Sequence, residues 1–203
     1  MGSMAMPEAV GREDIAASLG ANIVNAQEIA SAFGRPGISI PCYSARLKRV
    51  GFPVRVEPFG KGRAAQIDDG HGLPTFAELL VCDRLRRSGW EAVWASTFGS
   101  LRFITAWPWD MSSAEERDRI PAQPTEVIGQ IAGARCQRKN IKTSFGGIPD
   151  VIAWRDDDLA MIECKRAGED HLGKAQEEWF HCAFDMRQSN LQLGVFEWRF
   201  EDE

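Results

Sequence analysis

Two acidic residues and a lysine are the clearest candidates for chemistry in this 203-residue chain. Asp150 follows a proline, and Glu163 and Lys165 flank a cysteine at the end of an apolar run. Carboxylate oxygens are ligands that suit Mg²⁺ or Mn²⁺, and such an ion can activate water and neutralise charge on a phosphodiester. A nearby ammonium can orient the water or stabilise an anionic transition state. These residue types therefore indicate metal-assisted hydrolysis.

The segments that carry these residues have the pattern of two neighbouring β-strands. Residues 149–154 and 159–165 are largely apolar and are joined by a polar turn. If that turn closes a regular antiparallel hairpin, Trp154 pairs with Leu159, and Asp150 then lies opposite Glu163. Two carboxylates so close repel and raise each other's pKa unless a cation lies between them. The pattern predicts a metal site at this pair, with Lys165 one step beyond on the same face.

The surrounding sequence predicts the elements that must position this hairpin. Their order is helix, strands, helix, strand, which indicates an α/β fold of the α+β type with a mixed sheet. Helices are expected at about 75–89, 125–138 and 172–186, and further strands at 90–98, 101–107 and 192–200.

Three short motifs together resemble a known nuclease family. Gly147 to Asp150 reads Gly-Ile-Pro-Asp, residues 162–165 read Ile-Glu-Cys-Lys, and residues 176–179 read Gln-Glu-Glu-Trp. This text resembles the VRR-NUC branch of the PD-(D/E)XK nuclease superfamily over about residues 74–200. The resemblance implies a restriction-endonuclease-like core and Mg²⁺- or Mn²⁺-dependent cleavage of phosphodiester bonds, with DNA as the expected substrate.

The resemblance also implies roles for individual residues. Asp150 and Glu163 would bind the metal, Lys165 would be catalytic, and Gln176 would support the site. Glu78, in the first predicted helix of this region, would contribute a further carboxylate to the metal.

Each of these residues also has a simpler interpretation. Glu163 and Lys165 could form a surface ion pair, and Asp150 could be a turn residue. Glu78 falls three positions after Thr75, so its carboxylate could complete a helix capping box. Gln176 falls on the apolar stripe of its helix and needs a buried partner, which could be a backbone group or the metal site.

The first third of the chain carries the strongest concentration of positive charge. Residues 35–63 contain seven basic residues and one acid, although the whole chain has a formal net charge of −5. Residues 26–33 and 41–50 have the pattern of two short helices separated by a Gly/Pro break, which favours a helix-turn-helix or a plain helical hairpin. The basic residues expected to contact nucleic acid are Arg46, Lys48, Arg49, Arg138 and Lys139.

These patterns predict three regions: a helical module at 1–63, a linker at 64–73 and a nuclease domain at 74–203. No run reaches the roughly 18 apolar residues of a membrane span, and no secretory signal is present, so we expect a cytoplasmic protein without a membrane partner. The five cysteines are scattered and are expected to be reduced thiols. DNA is the expected partner, and the chain could pair with a second copy as a homodimer.

Two functions remain open from the sequence. The first is a metal-dependent nuclease in repair, restriction or mobile-element maintenance. The second is a helix-turn-helix DNA-binding protein whose nuclease-like domain serves as a non-catalytic scaffold. Two opposed acids beside a lysine favour the enzyme.

Overall fold

A seven-stranded mixed sheet positions the candidate residues. The computed structural model describes residues 12–55, 64–96, 102–104, 122–141, 145–186 and 188–203. The helices in these ranges are α1 (Arg12–Leu19), α2 (Ala77–Arg87), α3 (Ala122–Lys139) and α4 (Lys174–Asp185). The strands are β1 (Asn22–Ile29), β2 (Ile38–Leu47), β3 (Arg49–Arg55), β4 (Ala64–Asp68), β5 (Pro74–Thr75), β6 (Glu91–Ser96), β7 (Arg102–Ile104), β8 (Val151–Arg155), β9 (Asp158–Arg166) and β10 (Leu191–Phe200).

The large sheet has the strand order β1-β2-β10-β9-β8-β6-β7, and β3, β4 and β5 form a separate small sheet. Strands β9, β10 and β2 run parallel to one another, whereas β8 and β6 are antiparallel to their neighbours. Parallel neighbours need a crossover connection, and α4 supplies it between β9 and β10. The mixed α/β fold and the order helix, strands, helix, strand are therefore confirmed for the described residues.

The hairpin of β8 and β9 has the predicted register. Trp154 pairs with Leu159, and Val151 pairs with Ile162 at the start of β8. Asp156 turns the chain with a positive φ of 52°, a conformation that aspartate tolerates better than most residues. The same register, extended by one residue, places Asp150 opposite Glu163.

Both faces of this hairpin are covered by helices. Val151 and Ile162 belong to a core that includes residues of α1 and α2, whereas Ile152 and Met161 belong to a core built with α3 and α4. The side chains of a strand alternate between faces, so Glu163 and Lys165 share the face of Met161, on the α4 side.

The two helices predicted at 26–33 and 41–50 are wrong. The described chain forms strands β1 and β2 there, and β2 pairs in parallel with β10 inside the large sheet. Tyr43 and Leu47 are buried on one face while Ile40 is buried on the other, which is the period of a strand. The helix-turn-helix interpretation is therefore wrong, because pairing with a distant strand outweighs the local pattern.

Residues 64–73, predicted as a linker, contain strand β4 and an ordered loop. Asp68 accepts hydrogen bonds from the backbone amides of Gly70 and Gly72, both at 2.8 Å. The large sheet includes strands from both sides of this segment. Parts of three predicted segments lie outside the described residues. They are residues 97–98 of the strand predicted at 90–98, residues 101 and 105–107 of the strand predicted at 101–107, and residues 56–63 of the basic segment.

The capping box predicted at Thr75 is also wrong. Thr75 belongs to β5, and the residue that caps α2 is Phe76, whose side chain makes no capping hydrogen bond. Glu78 is therefore the second residue of α2 and does not occupy the third helical position that a capping box requires. All five cysteines are free and buried. None of the helices in the described ranges is both long and apolar enough to cross a membrane.

Candidate active site

Asp150 is held at the entrance to β8 by backbone hydrogen bonds. Its main-chain oxygen accepts a bond of 2.7 Å from the amide of Ala95, and its Oδ2 accepts one of 3.0 Å from the amide of Cys164. These bonds tie Asp150 to β6 on one side and to β9 on the other. The carboxyl group therefore lies beside Glu163, as the hairpin register requires.

Burial and like charge disturb the ionisation of both carboxyl groups. The pKa of Asp150 is raised well above its usual value, first because the group is buried and then because of the charges of Glu163 and Glu78. Burial also raises the pKa of Glu163, and Lys165 opposes that rise. The site thus places two carboxyl groups where their simultaneous ionisation is unfavourable.

Lys165 supplies the positive charge nearest to this pair. Its Nζ lies 2.9 Å from Oε1 of Glu163, and the side chains of the two residues are 16% and 1% exposed. Burial lowers the pKa of Lys165, but the charge and hydrogen bond of Glu163, together with the charges of Asp150 and Asp170, outweigh burial and leave the pKa raised. The lysine therefore stays charged, and the pair is a buried one rather than the surface ion pair of the simpler interpretation.

Gln176 joins α4 to the same carboxyl group. Its Nε2 donates a hydrogen bond to Oε1 of Glu163, and its Oε1 accepts one of 2.8 Å from the amide of Gly173. The backbone bond fixes the amide so that its NH₂ group points at Glu163. The sequence left a backbone group and the candidate site open as alternative partners, and Gln176 bonds to a backbone amide and to a side chain of the site.

Gly147 brings the loop before Asp150 against the start of α4. A Cβ at Gly147 would lie 2.1 Å from the carbonyl oxygen of Ala175, and φ at this glycine is +86°. Only glycine fits such a contact and such a conformation without strain. Gly147 belongs to the Gly-Ile-Pro-Asp motif noted in the sequence, and its place three residues before Asp150 was the signal available for this packing role.

Glu78 is 2% exposed within α2. Its charge contributes to raising the pKa of Asp150 and of Glu163, so its carboxylate lies near both. Within the described ranges, however, no three Asp, Glu, His or Cys side chains form a group that could hold a metal ion. A role for Glu78 as a third metal ligand stays a prediction.

The pair of Asp150 and Glu163 has the donors that a divalent ion needs. Oε2 of Glu163 is buried and has no hydrogen-bond partner among the described residues. Mg²⁺ usually takes one or two carboxylates and completes its shell with water and substrate phosphate. Two carboxyl groups that repel each other, one with an unsatisfied buried oxygen, fit such an ion.

Four of the five basic residues expected to bind nucleic acid form ion pairs within the protein. Lys48 lies 3.0 Å from Asp68, and Arg49 lies 3.0 Å from Glu203. On α3, the pairs are Arg138 with Asp185 at 2.8 Å and Lys139 with Glu178 at 2.7 Å. Arg46 is exposed and donates a 3.4 Å hydrogen bond to the main-chain oxygen of Glu201. Nucleic-acid contacts by these residues stay predictions.

Comparison with known proteins agrees with this geometry. No curated protein matches the chain. The model of the VRR-NUC domain family matches residues 91–195, which is just over half of the chain and includes the hairpin, Gln176 and most of the large sheet. The chain therefore belongs to the VRR-NUC family, a family of PD-(D/E)XK-like nuclease domains.

Proposed function

We propose that this protein is a nuclease that hydrolyses phosphodiester bonds in DNA with the help of Mg²⁺ or Mn²⁺. The observation that carries the proposal is the adjacent carboxyl pair of the half-buried Asp150 and the buried Glu163, with the ammonium of Lys165 2.9 Å from Glu163. Family membership supports a nuclease, and the donor chemistry of the pair supports the ion.

In this proposal Asp150 and Glu163 hold the ion. The ion supplies an activated water and neutralises charge that develops on the phosphodiester. Lys165, kept charged by Glu163, orients the water or stabilises the anionic transition state. Gln176 holds the carboxyl group of Glu163 in one orientation through its bond to Gly173.

A non-catalytic scaffold is the less favoured alternative. A buried and a half-buried carboxyl group that face each other cost stability, because at least one of them is held away from its preferred ionisation state. A scaffold with no ligand at this point gains nothing from that cost. Repair, restriction and mobile-element maintenance are all settings in which such a nuclease would act.

The first test is Lys165→Ala, assayed on duplex, flap, junction and single-stranded DNA with Mg²⁺, Mn²⁺ or EDTA. We expect cleavage by the parent only with a divalent ion. The variant should lose nearly all turnover and keep nearly the same DNA affinity, because Lys165 acts on the transition state more than on bound substrate. RNA versions of each substrate measure the preference for DNA.

The matched control is Lys174→Ala, which removes an exposed lysine at the start of α4 and should leave turnover unchanged. Undiminished cleavage by the parent in EDTA would contradict the role of the ion. Undiminished turnover by Lys165→Ala would contradict the role of the lysine.

A further inference from the structure

Two arginines lie side by side on the sheet face that carries the candidate site. In the parallel pairing of β9 with β10, Glu163 lies beside Val195 and Lys165 beside Glu197. In the pairing of β10 with β2, Arg199 lies beside Arg46. Side chains alternate along each strand, so all of these side chains emerge from one face.

The arginines lie near the carboxyl ends of strands β2 and β10. Arg199 is two residues beyond Glu197 and one strand away from Lys165, so the Cα atoms of Arg199 and Lys165 are separated by roughly 8 Å. Strands β9, β10 and β2 are parallel, and their carboxyl ends meet at one edge of the sheet. Ligands of open α/β sheets characteristically bind outside the carboxyl ends of the strands.

Within the described residues, neither arginine has an acidic partner. Both side chains are exposed, and the hydrogen bond of Arg46 goes to a main-chain oxygen of Glu201. Glu197 is on the same face but forms no described ion pair with either arginine. Arg49, in contrast, is paired with Glu203 at 3.0 Å and stacks over the Phe200 ring at 3.7 Å.

Two guanidinium groups on neighbouring strands repel each other unless an anion lies between them. Their Cα atoms are about 4.8 Å apart, which is the spacing of adjacent strands. Guanidinium groups bind phosphate oxygens through two parallel hydrogen bonds, so two arginines at paired positions of adjacent strands suit a phosphate better than a single positive charge does.

We propose that Arg46 and Arg199 together bind one backbone phosphate of the nucleic-acid strand that enters the candidate active site. The proposal rests on the proposed nuclease function and specifies where its substrate is held. Arg46 was expected from the sequence to contact phosphates, whereas Arg199 becomes a candidate only through its pairing with β2. The contact is to the backbone, so it does not depend on base sequence.

The test measures binding of a fluorescently labelled DNA duplex by the full chain in EDTA, over a series of NaCl concentrations. The variant Arg46→Gln/Arg199→Gln should bind about tenfold more weakly at a fixed salt concentration. Loss of one phosphate contact should also reduce the slope of log K against log salt by about 0.9. The variant Arg46→Lys/Arg199→Lys should keep the parent slope and bind less tightly than the parent. Lysine retains the positive charge but cannot form the two parallel hydrogen bonds of a guanidinium group.

Arg87→Gln is the matched control, because it removes an exposed arginine of α2 that is paired with Asp83. Its affinity and slope should equal those of the parent. The Gln/Gln variant should melt no lower than the parent, because the two side chains have no acidic partner in the described part of the chain. A Gln/Gln variant with the parent affinity and slope would overturn the proposal, as would an equal loss in Arg87→Gln.

The outcomes separate this proposal from the nuclease function. A parent that binds DNA with the expected salt slope and never cleaves it would remove the nuclease function and leave the arginine pair supported. If the parent cleaves DNA and the Gln/Gln variant keeps the parent slope, only the proposed phosphate site at Arg46 and Arg199 would be contradicted. A parent that binds no nucleic acid at any salt concentration would overturn the pair.

Discussion

At the scale of single residues, we expect the adjacent carboxyl groups of Asp150 and Glu163 to affect both the proposed chemistry and the stability of the fold. The pKa of Asp150 is raised by burial and by Glu163. A carboxyl group whose pKa is higher in the folded than in the unfolded protein stabilises the fold below the unfolded pKa, and that contribution is lost as the pH rises through the folded pKa. The metal-free protein should therefore lose stability as the pH rises through that range.

Asp150→Asn tests this expectation without any substrate. An asparagine oxygen can still accept the amide of Cys164, and its NH₂ group can donate to Glu163, so the repulsion disappears while the hydrogen bond remains. In EDTA at neutral pH we expect a higher Tm for the variant, by about 2–4 °C for each kcal/mol that the lost repulsion adds to the free energy of unfolding. Its stability should also depend less on pH. Thermal melts from acid to neutral pH measure both effects.

The same melts in millimolar Mn²⁺ test the ion. An ion bound only by the folded state stabilises it, by about 2.7 kcal/mol at 100 times its Kd. The Tm of the parent should rise and that of Asp150→Asn should hardly change. Asp156→Asn, in the exposed turn of the same hairpin, is the control and should respond like the parent. An Asp150→Asn variant that melts below the parent in EDTA and gains as much from Mn²⁺ would remove the basis for a metal-binding pair.

At the scale of elements, the site depends on how closely α4 approaches the loop that precedes β8. Gln176 reaches Glu163 only if the first turn of α4 lies against the loop at Gly147. The contact between α3 and α4 combines the apolar core that both helices share with buried charges, with Arg135 bound to Glu178 at 2.9 Å. The position of α4 is thus set by apolar packing and ion pairing with α3 and by a glycine contact at the site.

Gly147→Ala should lower both stability and turnover. The new Cβ would meet the carbonyl of Ala175, so the first turn of α4 must shift and carry Gln176 away from Glu163. Gly168→Ala is the matched control, since Gly168 has a similar φ of +77° and open space around it. The control should cost about 1–2 kcal/mol for its conformation alone and keep its kcat.

The Gly147 variant should be less stable than the control and lose up to about 100-fold in kcat, because small displacements of catalytic groups have effects of that size. Denaturant unfolding and steady-state kinetics of the two variants measure the difference. Equal stability and equal kcat in both would show that the contact does not position the site.

At the scale of the whole molecule, the sheet joins the two ends of the described chain. Strand β2 pairs with β10 through six residue pairs from Cys42 to Leu47, and β10 in turn pairs with β9. Removal of β1 and β2 would expose the edge of β10 next to the candidate site. Unpaired apolar edges favour aggregation.

A fragment of residues 74–203 should therefore not fold on its own. We expect the full chain to unfold in one transition, with coincident curves from tryptophan fluorescence and far-ultraviolet circular dichroism. The fragment should show no cooperative transition or should aggregate. A fragment that melts cooperatively near the Tm of the full chain would instead support the boundary predicted at 64–73.

The sequence alone determined the hairpin and the residues on it. The register of β8 and β9 follows from a short polar turn and from alternating side chains, both of which are local, so the position of Asp150 opposite Glu163 could be predicted. The helices α2, α3 and α4 were predictable for the same reason, because the spacing of apolar residues along a helix is a local pattern.

Only the tertiary structure decided the contacts between segments that are distant in sequence. The local pattern of residues 41–50 suggested a helix, and pairing with β10 made it a strand beside Arg199. The fit of Gly147 against Ala175 likewise depends on where α4 packs. Such contacts depend on which distant segments pack together, and a single sequence carries no local periodicity that specifies that choice.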